Sequence, residues 1–231
     1  MPITIRKLTL DQAEQAHDTA VVIDVLRAFT TDAFALNQGA SDVLLVSTVE
    51  EALALQKQFP GSLTLGEVEG KPLPEFNFSN SPAELNAADL QGKRLIHRSS
   101  AGTQGVVRAK NAQNLFAGSF PCAAATARHI LALKPIAVDF IVTGTYGTTD
   151  GDEDIAFADY VTELIMGRTP DPAPYLERIH TSSHGRRFLS GASPHLPLHD
   201  LEFAVALDRF DFAMPIARRN GLLVMERSGN Q

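Results

Sequence analysis

Ala20-Val21-Val22-Ile23-Asp24-Val25-Leu26-Arg27-Ala28-Phe29-Thr30-Thr31 decides how the rest of the chain is read. Its unbroken apolar start fits a strand over 19–26 buried on both faces, and that run delivers an aspartate. Arg27 follows three residues later, then two hydroxyls, of which Thr30 or Thr31 is placed to cap a helix over 31–38 that stops at Gly39. An acid, a guanidinium and a helix start at the end of a buried strand are the parts of a site for an anionic substrate held with a metal.

Working outward, the same alternation of strand and helix recurs. Ile3, Ile5, Leu8 and Leu10 fit an edge strand with polar residues between them. Asp42 to Val46 is a third strand, and Thr48 with Glu51 forms a capping-box pattern opening a helix that runs to about Phe59. Strand, helix, strand, helix in this order predicts parallel strands joined by right-handed crossovers. Further strands are expected at 62–66, 93–97, 114–117 and 136–142. Helices are expected from Ser81-Pro82 to about Ala88, at 122–133, at 153–166 and at 173–181. From Ser182 to His199 glycine and proline make the chain loop-like apart from a helical stretch at Arg186 to Leu189. A last helix at 198–207 and a closing hairpin around Arg219-Asn220-Gly221 complete the chain. The fold class expected is α/β, a layered αβα arrangement with a mostly parallel or mixed central sheet. It would form a single domain over 1–231, with room for two closely packed lobes.

Composition narrows the partners. A chain of 231 residues with 44 % hydrophobic and 20 % charged residues is ordinary globular material. Twenty Lys and Arg against 27 Asp and Glu give a net charge of −7, which argues against a broad nucleic-acid or anionic-membrane footprint. A small phosphorylated substrate needs only two or three local cations. The start lacks the pattern of a signal peptide, no apolar run is long enough to span a membrane, and the lone Cys122 has no internal disulfide partner. A cytoplasmic protein is expected.

Polar clusters follow the predicted strands at Asp24 to Arg27, Glu67 to Gly70, Ser99 to Thr103 and Thr143 to Asp154. In a mostly parallel sheet these ends share one side, the usual ligand side. That would bring Asp24, Glu67, Asp150 and Asp154 within reach of one ion, and Mg²⁺ is the natural choice for hard oxygen ligands. Asp24 either ligates the metal, acts as a nucleophile, or caps the following turn. Arg27 either clamps a phosphate or carboxylate bidentately or pairs with an acid of the protein. Ser99-Ser100-Ala101-Gly102-Thr103 offers hydroxyls and amides to phosphate oxygens, and capping alone explains Ser81 while leaving Asn80 over for function. Between Pro135 and Gly167 there is no Lys or Arg, yet four acids stand within residues 150–154. That density exceeds what a helix start requires, and a divalent cation would offset it. The pairs His180/His184 and His195/His199 sit in a proline-interrupted segment that does not secure zinc geometry. Cys122 falls at a helix start, where a thiol pKa can be lowered, although core packing is the commoner fate.

Asp24-Val25-Leu26-Arg27-Ala28-Phe29-Thr30-Thr31, Gly66-Glu67-Val68-Glu69-Gly70, Asn80-Ser81-Pro82-Ala83-Glu84, Gly102-Thr103, Gly118-Ser119-Phe120 and Glu153-Asp154 occur in the order seen in the 2-phosphosulfolactate phosphatase family. The resemblance spans about residues 3–226. It implies a Mg²⁺-dependent acid phosphatase that hydrolyses 2-phosphosulfolactate to sulfolactate and phosphate, in the route to coenzyme M, on a family-specific α/β topology with the site at strand carboxyl ends. By resemblance Asp24, Arg27, Glu67, Asn80, Ser81, Thr103 and Asp154 line the pocket, with Ser100 and Gly102 beside them. Asp24, Arg27 and Glu67 are then the catalytic candidates; Arg27, Asn80, Ser81, Ser100, Gly102 and Thr103 the phosphate-binding ones; and Asp24, Glu67 and Asp154 the metal ligands. The chain departs from the family pattern at Val68, Ser79, Ala101 and Cys122, where arginine, glycine, asparagine and asparagine are usual. These changes fall in the substrate shell and leave the identity of the acid open. A small-carboxylate hydrolase or lyase, or an inactive binding relative, is the alternative, and a homodimer is compatible with the Phe-rich loops.

Overall fold

Residues 3–144 and 150–229 are described by the structure, a computed structural model. Its strands are β1 (Thr4–Thr9), β2 (Thr19–Ile23), β3 (Asp42–Leu45), β4 (Leu63–Val68), β5 (Lys71–Pro72), β6 (Arg94–Arg98), β7 (Asn114–Gly118), β8 (Ala137–Val142), β9 (Met214–Arg219) and β10 (Leu222–Met225). The helices are α1 (Ala28–Asn37), α2 (Val49–Gln58), α3 (Pro82–Asn86), α4 (Gly102–Arg108), α5 (Ala123–Ala132), α6 (Asp152–Ile165), α7 (Ala173–Thr181), α8 (Ser183–Leu189) and α9 (Leu198–Ala204). The strands form one mixed sheet in the order β1-β8-β2-β7-β9-β10-β3-β6-β4-β5. The layered α/β class expected from the sequence is the one found.

Topology departs from expectation in one respect. β1, β8, β2 and β7 are mutually parallel, as are β3, β6 and β4, but the two groups are joined through three successive antiparallel pairings, β7–β9, β9–β10 and β10–β3. β2 and β3, expected as parallel neighbours across α1, therefore belong to opposed groups. The hairpin β9–β10 is the splice between them rather than a closing edge. Five steps separate β2 from β6, and the ordinary right-handed twist turns successive strands by about 20–25° each, on the order of 100° in all. That rotation lets the carboxyl ends of both groups reach a common cavity.

Side chains on one face of the whole sheet, among them Val22, Val43, Leu45, Leu95, Leu115 and Met225, pack on α1, α3 and α4 through Phe29, Phe34, Leu36, Leu85 and Val106. The other face is divided. α5 and α6 cover Val21, Ile23, Val138 and Phe140, while α2 covers Leu44, Ile96 and Val224. Asp139, buried in the middle of apolar β8, receives the half-exposed Arg6 of edge strand β1 at 2.6 and 2.7 Å within the sheet, and the buried pair Asp32 of α1 and His97 of β6 at 2.8 Å ties helix to sheet. Thr48 and Ser81 cap α2 and α3 by accepting from Glu51 N and Glu84 N, as their patterns predict.

α1 begins at Ala28, three residues before the expected start, and neither threonine caps it. Asp24 takes the first amide instead, accepting from Ala28 N at 3.0 Å, while Thr30 Oγ1 donates to Val25 O at 2.7 Å. The segment after Ser182 is likewise more ordered than its composition suggests. Ser182 caps α8 by accepting from Gly185 N at 2.9 Å, and the helix starts at Ser183 rather than Arg186.

Gly66 brings β4 against β6 at the site. Its φ is +138°, and a Cβ there would lie 1.9 Å from Arg98 O. Gly66→Ala is expected to cost about 3 kcal/mol or more. Gly61→Ala, at φ +89° but with open space around it, should cost about 1 kcal/mol. Urea unfolding of the two variants checks the difference.

Candidate active site

The ends of β2, β4, β6 and β8 open on a cavity of about 550 Å³ lined by Asp24, Glu67, Glu153 and Asp154 together with Arg27, Arg98, His184 and Arg187. Asp24, Asp154 and Glu67 are each fixed by backbone amides. Asp24 Oδ1 accepts from Ala28 N and Oδ2 from Gly102 N at 2.9 Å, and a Cβ on residue 102 would lie 2.8 Å from that oxygen, so glycine permits the approach. Asp154 accepts from Val25 N at 2.9 Å through Oδ1, and from Thr143 N and Gly144 N at 3.1 and 2.8 Å through Oδ2. Glu67 accepts from Ser100 N and Gly70 N, both at 2.5 Å, and from Ser100 Oγ at 3.1 Å. Amide donors hold a carboxylate in its charged form and spare it the cost of burial without a partner.

Those bonds only partly offset burial. Desolvation pushes Asp24 up to about 6; the charge of Glu67 adds to it, while the Ala28 and Gly102 amides and His184 pull back. Burial, then the charges of Glu153 and Asp24, hold Asp154 well above the ordinary carboxylate range. Glu153 Oε1 meets His184 Nδ1 at 2.6 Å, and its Oε2 is buried with no partner among the described residues. Burial opposes protonation of His184, but the hydrogen bond and charge of Glu153, with the charge of Asp24, raise its pKa overall.

A family model described as 2-phosphosulpholactate phosphatase matches residues 5–219. The chain belongs to this family. It is 32 % identical over 211 residues to a probable 2-phosphosulfolactate phosphatase of Bacillus subtilis, covering 91 % of this chain and 92 % of that one. A protein of the same description from Carboxydothermus hydrogenoformans is 33 % identical over 236 residues, with 94 % of both chains covered. One from Deinococcus radiodurans is 35 % identical over 163 residues, covering 69 % of this chain and 68 % of its own. Membership in the 2-phosphosulfolactate phosphatase family supports hydrolase chemistry on a small phosphorylated acid.

Of the candidate residues read from the sequence, Asp24, Arg27, Glu67, Asn80, Ser100 and Asp154 line the main cavity. Asn80, whose buried Oδ1 has no partner, also faces a second cavity of about 160 Å³, and Ser81 faces only that one. Gly102 and Thr103 line neither cavity. The Gly102 amide is committed to Asp24, and the Thr103 hydroxyl is closed onto Ser99, accepting from its N–H and donating to its carbonyl, both at 2.9 Å. Arg27 is anchored inside the protein: Nη1 donates to Asp200 Oδ2 at 2.7 Å and to His195 O at 3.1 Å, and Ser81 Oγ donates to Asp200 Oδ1 at 2.6 Å.

One expectation is corrected here: Asp150 does not reach the cavity; it is exposed and accepts from Ser183 N and Oγ. Cys122 packs in the core, the commoner fate read from the sequence, and burial there pushes its thiol up. Residues 145–149 of the polar run after β8 lie outside the described residues.

Sequence reading assigned Arg98 and Arg187 no role, weighed His184 only as a zinc candidate with His180, and held Glu153 only in the acidic run and the Glu153-Asp154 motif. The cap Ser182, two residues before His184, was the available signal for an ordered helix there.

Among the described residues no three His, Cys, Asp or Glu side chains converge as a preformed metal cage. The donors suit a hard cation in a more limited way. Buried carboxylates that repel one another, with one Glu153 oxygen lacking a donor, match an ion held by one or two protein oxygens and completed by water and substrate oxygens. No helix among the described residues is long and apolar enough to cross a membrane.

Arg27 and Asp200 are 5 % and 0 % exposed. Asp200→Ala would leave the guanidinium buried without its counter-charge, an expected loss of about 3–5 kcal/mol. Ser81→Ala removes one hydrogen bond to Asp200 and should cost about 1–3 kcal/mol. Denaturant unfolding of both variants measures the gap.

Proposed function

We propose that the chain hydrolyses the phosphate monoester of a small acid in a Mg²⁺-dependent reaction, with 2-phosphosulfolactate, the substrate in its relatives' names, as the first candidate. The observation carrying this reading is the meeting of Asp24, Glu67, Asp154 and the Glu153–His184 pair around one small cavity. Mg²⁺, when held by one or two of Asp24, Glu67 and Asp154, would offset charge on the phosphoryl oxygens and lower the barrier to attack. Asp24, fixed by two amides, is placed to orient an attacking water or to attack phosphorus itself. In either route the bond from phosphorus to the ester oxygen breaks, and the alcohol leaves as its conjugate base unless it is protonated. His184 supplies that proton, with Glu153 orienting the ring and favouring its charged form. Ser100 and Asn80 offer polar contacts at the rim. A cytoplasmic setting, a place in coenzyme M synthesis and a homodimeric state are carried by family resemblance or composition and belong to this same reading.

Phosphate release from 2-phosphosulfolactate and 2-phospholactate should require magnesium and stop on chelation. Asp24→Asn should lower it by about a thousandfold or more. No release from either ester by the wild type would refute the proposal.

Leaving-group dependence tests His184. His184→Gln should slow alkyl phosphate hydrolysis by about 10²–10⁴-fold but have far less effect on p-nitrophenyl phosphate, whose leaving group needs no proton. Since the donor must be protonated, wild-type activity on alkyl esters should fall as pH rises through the elevated His184 pKa, and His184→Gln should lack that limb. Equal losses on both esters would remove His184 from the reaction.

A further inference from the structure

Among the described residues, two guanidinium groups reach the main cavity with no direct ion pair. Arg98, the last residue of β6, donates through Nη1 to Glu67 O at 2.6 Å and Ser100 Oγ at 3.1 Å, both neutral acceptors, and its Nε is buried with no partner among the described residues. Arg187 of α8 is exposed at the same cavity and has no hydrogen bond or ion pair among the described residues. The chain is not short of acids, having 27 against 20 basic residues. Arg6, Arg94, Arg178 and Arg219 each meet a carboxylate. Beside Arg98 itself, the Glu67 carboxylate is spent on backbone amides and Ser100. A partly buried guanidinium with an orphaned N–H has lost water without gaining a counter-charge, which an anionic ligand would restore.

The two cations stand on different walls. Arg98 contacts the Glu67 and Ser100 segments, whereas Arg187 lies three residues along α8 from His184, and its charge opposes protonation of that ring. If His184 protonates the bridging ester oxygen, the departing alcohol lies on the Arg187 side and the phosphoryl group toward Glu67 and Arg98. Resting on the phosphatase reading above, we propose that these arginines bind the two ends of one substrate: Arg98 the phosphoryl group, and Arg187 the carboxylate or sulfonate carried by the alcohol. The cavity thereby selects phosphorylated acids over neutral phosphate esters. Arg27, for which the sequence leaves a clamp and an internal pair equally open, is bound to Asp200 and lines both cavities.

Titration calorimetry with inorganic phosphate, magnesium present throughout, tests Arg98. Arg98→Gln should weaken phosphate binding by about 10–100-fold, and Arg98→Lys should recover part of it by restoring charge without the planar fork. Arg187 is tested by the ratio of kcat/KM for 2-phospholactate to that for ethyl phosphate, which lacks the acid. Arg187→Gln should lower this ratio about tenfold or more. Circular dichroism melts establish that each variant is folded. Unchanged phosphate affinity in folded Arg98→Gln, or an unchanged ratio in folded Arg187→Gln, overturns the assignment. Should the wild type hydrolyse neither ester, the phosphatase reading fails, and the arginines are judged by binding alone. Arg98→Gln must then weaken phosphate and Arg187→Gln must weaken lactate; if either does not, this inference falls as well.

Discussion

The Asp24 carboxylate is the joint on which the site depends. One oxygen takes the first amide of α1 and the other takes the Gly102 amide at the start of α4, so a side chain from the end of β2 reaches across to the segment that follows β6. Asp154 does the same for the ends of β2 and β8, and Glu67 for the loops after β4 and β6. Strand ends in a twisted sheet leave amides that need acceptors. Here carboxylates supply them, and the groups that hold the backbone together are those that face the cavity.

That economy has an electrostatic consequence. Acids that serve as backbone acceptors cannot swing apart, so their repulsion persists and adds to burial, the main cause, in raising the pKa values of Asp24 and Asp154. The opposing charges are divided between jobs. Arg27 is committed to Asp200 and His184 to Glu153, while among the described residues Arg98 and Arg187 face the cavity without an ion pair. On the reading proposed above, fixed negative groups and such cations would receive an anion together with a cation with little reorganisation.

Much of this was legible in the residues. Apolar runs ending in acids marked Asp24 and Glu67, the density of acids marked Asp154, and hydroxyl-to-acid spacing marked the starts of α2 and α3. What could not be read was whatever depended on distant partners. Asp200 stands 173 residues from Arg27, so nothing near Arg27 distinguishes a substrate clamp from an internal pair. The α8 segment is rich in glycine and proline around it, and composition hid the first turn of that helix, which carries His184. The order of strands was beyond local pattern as well, because the hairpin β9–β10 has ordinary hairpin chemistry whether it sits at an edge or in the middle.

The hairpin's central position bears on how the molecule is made. β7 and β3 are complete by residue 118, yet the strands that cover their open edges are not synthesised until residues 214–225. Throughout elongation over nearly a hundred residues, a nascent chain would present two unpaired strand edges that can dock with other chains as readily as with the missing hairpin. Closure then requires contacts between segments more than 170 residues apart, such as Val224 with Leu44, which places the decisive step of folding late, once residues 214–225 have been made.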